Sequence, residues 1–196
     1  MRPLHASYAL WALWVASWIA AAVWTRRTEA RPPLLTELAN RIPTGIGGVL
    51  LFYGSSAPLG WQYRIPIELW ALPGWASWSM TAACAAGFGF TWWARVTLGD
   101  LWSGTVSRKQ DHEIIERGPY GLVRHPIYTG IIFAAFATAI QIGLAASLVG
   151  ASLMTLGFWM KARLEERFLS AELGEGAYAD YRRRTPMLVP FWPKGA

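Results

Sequence analysis

Four stretches of this chain contain no aspartate, glutamate, lysine or arginine: Ala6–Thr25, Ile42–Tyr63, Leu69–Ala94 and Pro126–Met160. A helix needs about 20 mostly apolar residues to cross the hydrocarbon core of a bilayer, and each stretch has at least that length. The fourth is too long for one crossing: its 35 residues would reach roughly 52 Å as a helix, against a core of about 30 Å. Gln141-Ile142-Gly143, near its middle, offers a polar, flexible turn, so the stretch reads as a hairpin of two helices, Ile127–Ile140 and Leu144–Met160. The expected fold is all-α: an integral membrane protein with about five transmembrane helices, the last two forming a helical hairpin, within a single membrane-embedded domain. Composition agrees. Charged residues make up 15% of the chain, against about 25% in soluble domains, and hydrophobic residues 54%, with a mean hydropathy of +0.25. These values exclude a disordered chain and argue against an ordinary soluble enzyme.

Five crossings put the termini on opposite sides, and the basic residues then separate. The first loop carries Arg26, Arg27, Arg31 and Arg41, and the third carries Arg95, Arg108, Lys109, Arg117 and Arg124. The tail carries Lys161, Arg163, Arg167, Arg182, Arg183, Arg184 and Lys194, which leaves only Arg2 and Arg64 for the other side. Lysine and arginine collect on the cytoplasmic face, so the N-terminus is expected outside and the C-terminus in the cytoplasm, in an inner or plasma membrane. The formal charge of +6 is then a record of orientation, and no nucleic-acid partner is implied. The first span exceeds the 7–15 apolar residues of a secretory signal and carries Trp11, Trp14, Trp18 and Trp24, which favours a retained anchor. Tryptophans near span ends fit an aromatic belt. Ala83 and Gly87 let two helices approach closely. Cys84, the single cysteine, sits in the apolar run Thr81–Ala86 and reads as a small buried hydrophobe.

Polar groups concentrate in two cytoplasmic segments, Leu98–Gly130 and Lys161–Phe191. In Arg124-His125-Pro126, the proline suits the first turn of a helix, because its missing N–H would be unpaired there in any case. His125 then caps that helix, and the first N–H groups suit an anionic or ribose oxygen of a ligand. An interfacial His and Arg touching lipid headgroups would leave the same sequence trace. Glu165 and Glu166 are adjacent on a helix, so at most one is expected to face a given ligand. Arg163 and Glu166, three apart, could simply pair. Gly45-Ile46-Gly47-Gly48 lies inside an apolar span and is no phosphate loop. His5, His112 and His125 have no partner at a metal-ligand spacing.

These residues carry a resemblance. Leu98–Gly130, with Gly118-Pro119-Tyr120 and Arg124-His125-Pro126-Ile127-Tyr128-Thr129-Gly130, resembles the isoprenylcysteine carboxyl methyltransferase family, which is related to the phospholipid methyltransferases. Glu165-Glu166, Tyr178, Tyr181 and Pro190-Phe191 resemble the same family's tail. The likeness covers about half the chain, so residues 1–94 read as three N-terminal spans and residues 95–196 as a methyltransferase-like catalytic half. It implies a membrane methyltransferase using S-adenosyl-L-methionine, held in a cytoplasm-facing pocket closed by the tail. Carried over residue by residue, it implies cofactor contacts from His112, Ile115, Tyr120, His125, Pro126, Ile127 and Tyr128, and from one of Glu165 and Glu166. A basic residue before the acidic pair, Arg163 or its rival Lys161, would bind the acceptor, so Arg163 and Glu165 stand as the expected catalytic pair.

The implied partner is a lipophilic small-molecule or lipid-modified substrate entering from among the membrane lipids. Methyl transfer from a sulfonium is a direct displacement that depends on alignment and exclusion of water, and an ionised acceptor needs no general base. The acceptor could be a carboxylate, a phospholipid amine or a thiol. An NADPH-dependent membrane reductase is a rival reading, weakened by like-charge repulsion between Glu165-Glu166 and a phosphate-rich cofactor. A non-enzymatic membrane scaffold is another.

Overall fold

The computed structural model describes residues 2–22, 28–30, 34–53, 67–99, 102, 108–109, 115–173 and 175–191. These are helical apart from loops and one short ribbon, in which β1 (Thr28–Ala30) pairs antiparallel with β2 (Arg108–Lys109). The helices are α1 (Pro3–Ala21), α2 (Leu34–Tyr53), α3 (Gly74–Leu98), α4 (Pro126–Ile142), α5 (Ala145–Leu173) and α6 (Glu175–Arg184). α2 lies along α5 and α3 along α4; α4 contacts α5, and α1 packs on α3. Among the described residues, α1 is the one helix long and apolar enough to cross a membrane on its own, and α4 is apolar but shorter, at 17 residues.

Two glycine pairs set the helix spacing. A Cβ on Gly87 of α3 would meet the Gly130 carbonyl oxygen of α4 at 2.8 Å, and one on Gly130 would meet the Gly87 oxygen at 2.6 Å. Gly47 of α2 and Gly150 of α5 approach in the same reciprocal way. Small residues at such crossings let backbones close and gain dispersion contact where the apolar effect gives no drive. Gly47 is therefore a packing residue within a helix. Around the α3–α4 seam the core is aromatic: Trp11 meets Phe52 and Phe88 edge-on, and Trp14 stacks on Phe88. Cys84 is wholly buried there.

The structure moves two boundaries. The second apolar stretch was expected at Ile42–Tyr63, but α2 starts at Leu34 and ends at Tyr53; residues 54–63 lie outside the described part. A charge-free run does not mark helix ends, and α2 takes Glu37 and Arg41 into its first turns. The hairpin turn is also tighter than expected. α4 runs through Gln141 and Ile142, and only Gly143, at φ 76°, makes the left-handed cap. A side chain there would collide with the Trp70 carbonyl. The turn is held by Leu69 N–H to Gly143 O (2.8 Å), Ala145 N–H to Ile67 O (3.0 Å) and Trp70 Nε1–H to Ile140 O (2.8 Å).

Gln141 is thus no turn residue. Its side chain is buried and joins three helices: Nε2 donates to Ser77 O (2.9 Å) and Thr81 Oγ1 (2.9 Å), and Oε1 accepts from Ser7 Oγ (2.6 Å). Gln141→Leu removes both the donor and the acceptor from this knot. It should lower stability by roughly 1 kcal/mol, the usual worth of one interhelical polar contact, with Ser7→Ala giving a smaller loss in the same unfolding assay.

Candidate active site

The site is assembled where α4 begins. Arg117 leads into a 3-10 turn, Gly118–Gly121, opened by Gly118 at φ 60° and Pro119. The chain then reaches Arg124 and His125, and Pro126 starts α4. α5 extends beyond the expected end of its apolar stretch at Met160 and carries Lys161, Glu165 and Glu166 to the same place. α6 and residues 185–188 close over them.

Arg124 is the centre of this closure. Its side chain is fully buried, with Nε 2.7 Å from Glu166 Oε1 and Nη2 3.2 Å from Oε2, a two-pronged pair. Nη1 donates to the carbonyls of Arg182 (3.1 Å) and Thr185. The backbone continues the closure: Arg124 N–H donates to Pro186 O (2.9 Å) and His125 N–H to Met187 O (3.1 Å). Thr129 Oγ1 donates to Leu188 O at 2.6 Å and Tyr181 hydroxyl to Tyr120 O at 2.7 Å. The tail is therefore a strap laid across the cap of α4. The N–H of the cap residue His125 is thereby taken by Met187.

His125 is nearly buried between the two carboxylates. Nδ1 lies 3.4 Å from Glu165 Oε2, and Nε2 lies 3.2 Å from Glu166 Oε1. Glu165 and Glu166, although adjacent on α5, both meet this one ring. The two nitrogens sit on different edges of the imidazole, and two long side chains leaving neighbouring helix positions converge on it from either side. Tyr128 stacks parallel to the imidazole (ring centroids 5.5 Å apart, 4° between planes), packs on Phe158, and donates its hydroxyl to Glu165 Oε1 at 2.6 Å.

Burial alone would push the His125 pKa down, but the hydrogen bonds and charges of Glu165 and Glu166 outweigh it and hold the ring above its ordinary value. Burial likewise pushes both carboxyls up. For Glu165, His125, Lys161 and Tyr128 reverse that; for Glu166, His125 and Arg124 do. The arrangement favours the charged forms, an imidazolium between two carboxylates. His125's contribution to stability is complete below the ordinary histidine pKa of about 6.5 and fades as pH rises through its raised folded value. That of the glutamates is complete above the ordinary carboxylate range and fades as pH falls through their lowered values. The unfolding midpoint should therefore drop on the alkaline side of the ordinary histidine range, and His125→Gln should flatten that limb; an alkaline limb unchanged by His125→Gln would refute the assignment.

Of the residues marked from sequence, Tyr120, His125, Pro126, Ile127, Tyr128, Glu165 and Glu166 come together, with Tyr120, Pro126, Ile127 and Tyr128 buried. Ile115 packs at the edge of this core. His112 lies outside the described residues. Arg163 does not pair with Glu166, which Arg124 has taken; its guanidinium lies over the Trp159 ring, 5.3 Å from the centroid. Lys161 sits over Tyr128 (Nζ 5.2 Å from the centroid) and acts on Glu165 electrostatically. The residue sequence reasoning missed is Arg124, quoted in the motif but given no role. An arginine directly before a proline-opened apolar helix needs a carboxylate, and Glu166, 42 positions on, is where one was available.

Fold and site together define a helical protein with a buried histidine–dicarboxylate cluster at the open end of a helical hairpin, closed by its own tail. The model of the isoprenylcysteine carboxyl methyltransferase family matches residues 80–171, just under half of the chain. The chain is 34% identical to methanethiol S-methyltransferase 2 of Bradyrhizobium diazoefficiens, over 67% of this chain and 54% of that protein. It is 32% identical to the protein-S-isoprenylcysteine O-methyltransferase of Schizosaccharomyces pombe, over 51% of this chain and 43% of the relative. With the cobalt-zinc-cadmium resistance protein CzcN of Cupriavidus metallidurans it shares 33% over 48% of this chain and 44% of the other. The chain spans about half the length of these curated relatives.

Proposed function

We propose that this chain is a membrane-embedded methyltransferase that takes a methyl group from S-adenosyl-L-methionine and passes it to a small lipophilic acceptor. The observation that carries this reading is the Arg124–Glu166–His125–Glu165–Tyr128 cluster, built on the segment that matches the family. Named methyltransferases among the relatives act on a prenylated cysteine or on methanethiol, which supports an acceptor that is a carboxylate or a thiol. The membrane part of the reading rests on five long helices that overlap the four apolar stretches, and on bare apolar side chains such as Leu13, Ile19 and Trp75, which water would not favour. The orientation proposed is N-terminus outside and C-terminus cytoplasmic, from the distribution of Lys and Arg.

The donor set fits such a cofactor. Two carboxylates suit its hydroxyl and ammonium groups, and Tyr120, Ile127, Tyr128, Pro126 and Ile115 supply apolar and aromatic wall; His112 is assigned by the family motif alone. When bound, this cofactor supplies a methyl carbon made electrophilic by a positively charged sulfur. Arg124 and His125 hold Glu165 and Glu166 ionised and aimed. The strap excludes water, which strengthens these interactions. Lys161, rather than Arg163, faces the cluster, and it is the cation placed to draw in an ionised acceptor and keep it ionised. Both nitrogens of His125 face carboxylates and its pKa is held above the ordinary histidine value, so it is poorly placed to act as a base and the site favours an acceptor that arrives as a thiolate or carboxylate.

Purified full-length protein titrated with S-adenosyl-L-methionine and, separately, with NADPH tests the reading. Binding of the first alone is expected, with Glu166→Gln and His125→Ala each weakening it by about tenfold or more. Binding of NADPH alone would overturn it. Labelled-methyl transfer to methanethiol, a prenylcysteine analogue and phosphatidylethanolamine then ranks the acceptors.

A further inference from the structure

The last described residues of the strap are apolar and nothing in the described chain covers them. Val189 is 54% exposed and Phe191 96%. Phe191 also adopts φ 65°, a left-handed conformation that a residue with a Cβ rarely takes. These residues have a defined level on the molecule. Leu188, just before them, is bonded to Thr129 in the first turn of α4. One turn further along the same face of α4 is Phe133, itself 53% exposed. Val189, Phe191 and Phe133 are thus uncovered apolar side chains set, through Leu188 and Thr129, near the level where the apolar helix starts. α6 ends in Arg182-Arg183-Arg184; Arg183 pairs with Asp180 and Arg184 with Glu116, yet both arginines stay well exposed, and the sequence after Phe191 continues Trp192-Pro193-Lys194.

We infer that Val189–Phe191 is an interfacial anchor that inserts into the headgroup and upper acyl region of the cytoplasmic leaflet. The inference rests on the membrane reading proposed above. The pattern is that of interfacial segments: apolar side chains immersed, arginines beside them meeting lipid phosphates. The anchor ties the strap to the bilayer as well as to Arg124, so closure of the site is coupled to the membrane surface. A lipophilic acceptor lying in that leaflet is thereby beside the strap it must pass.

The test uses full-length protein in liposomes of phosphatidylcholine and phosphatidylglycerol. Cys84, the only cysteine and wholly buried, is replaced by alanine. An environment-sensitive fluorophore is then placed on Phe191→Cys, Phe133→Cys or Arg183→Cys. The Phe191 label is expected to emit further to the blue than the Arg183 label, and to be quenched several-fold more strongly by a nitroxide carried just below the lipid headgroup. The Phe133 label should answer to a deeper nitroxide. A Phe191 label that matches the Arg183 label while the Phe133 label is quenched overturns the anchor and leaves the membrane reading standing. If neither is quenched, the membrane reading fails and the anchor with it.

Discussion

Arg124→Ala should cost about 3–5 kcal/mol of stability, the range for breaking a buried ion pair by removing one partner. The loss has two origins. Glu166, almost fully buried, is left with its charge facing His125 and the half-exposed Arg182 but without its two-pronged partner. The carbonyls of Arg182 and Thr185 lose their shared donor, which loosens the strap. Arg124→Lys keeps the charge but not the fork, and should recover only part. Removing both charges, as Arg124→Met with Glu166→Leu, should be milder than Arg124→Ala alone, because no buried charge is stranded. Unfolding of the detergent-solubilised protein measures all three, and a double variant no better than the single one would show that the strap, not the ion pair, carries the energy. Cofactor affinity should fall in every one of them, because Glu166 is displaced or gone.

The second large effect is steric. A Cβ at Gly130 would stand 2.6 Å from the Gly87 carbonyl oxygen and 2.6 Å from Thr91 Cγ2. The first of these is backbone and cannot swing aside, so α3 and α4 must separate. Gly130→Leu should lose about 3 kcal/mol, the upper part of the overpacking range, and should also weaken cofactor binding, because α4 carries His125 and Tyr128 into the cluster. Gly89→Ala, on the same helix as Gly87 but with nothing within 4 Å of the added carbon, should change stability by no more than about 0.5 kcal/mol. Equal responses at the two positions would mean that the α3–α4 contact does not set the spacing.

Much of the fold was legible because long apolar runs mark helices directly. Each of the five long helices overlaps a charge-free stretch, Pro126 opens α4 as its missing N–H allows, and Gly143 ends it in the left-handed region. What was not legible depended on distance along the chain. Gln141 looked like a turn residue because polarity beside glycine usually means a loop; its partners Ser7, Ser77 and Thr81 lie on other helices. The start of α2 was hidden because a helix can carry charge beyond the part that is apolar. At the site, the motif residues were found by likeness, while their arrangement was not. No local rule says that Arg124 meets Glu166 or that Glu165 and Glu166 share one imidazole, since each depends on how the α4–α5 hairpin brings its ends together.

Residues 185–188 of the strap are fastened to Arg124, His125 and Thr129 through main-chain carbonyls, those of Thr185, Pro186, Met187 and Leu188. Main-chain acceptors are present whatever the side chain. Residues 186–188 can therefore be varied by an engineer without unfastening the lock, provided the backbone keeps its path. Met187 and Leu188 already pack inward against the core. The tail is thus a replaceable wall: its side chains can reshape the room beside the cluster while the lock that holds it stays the same.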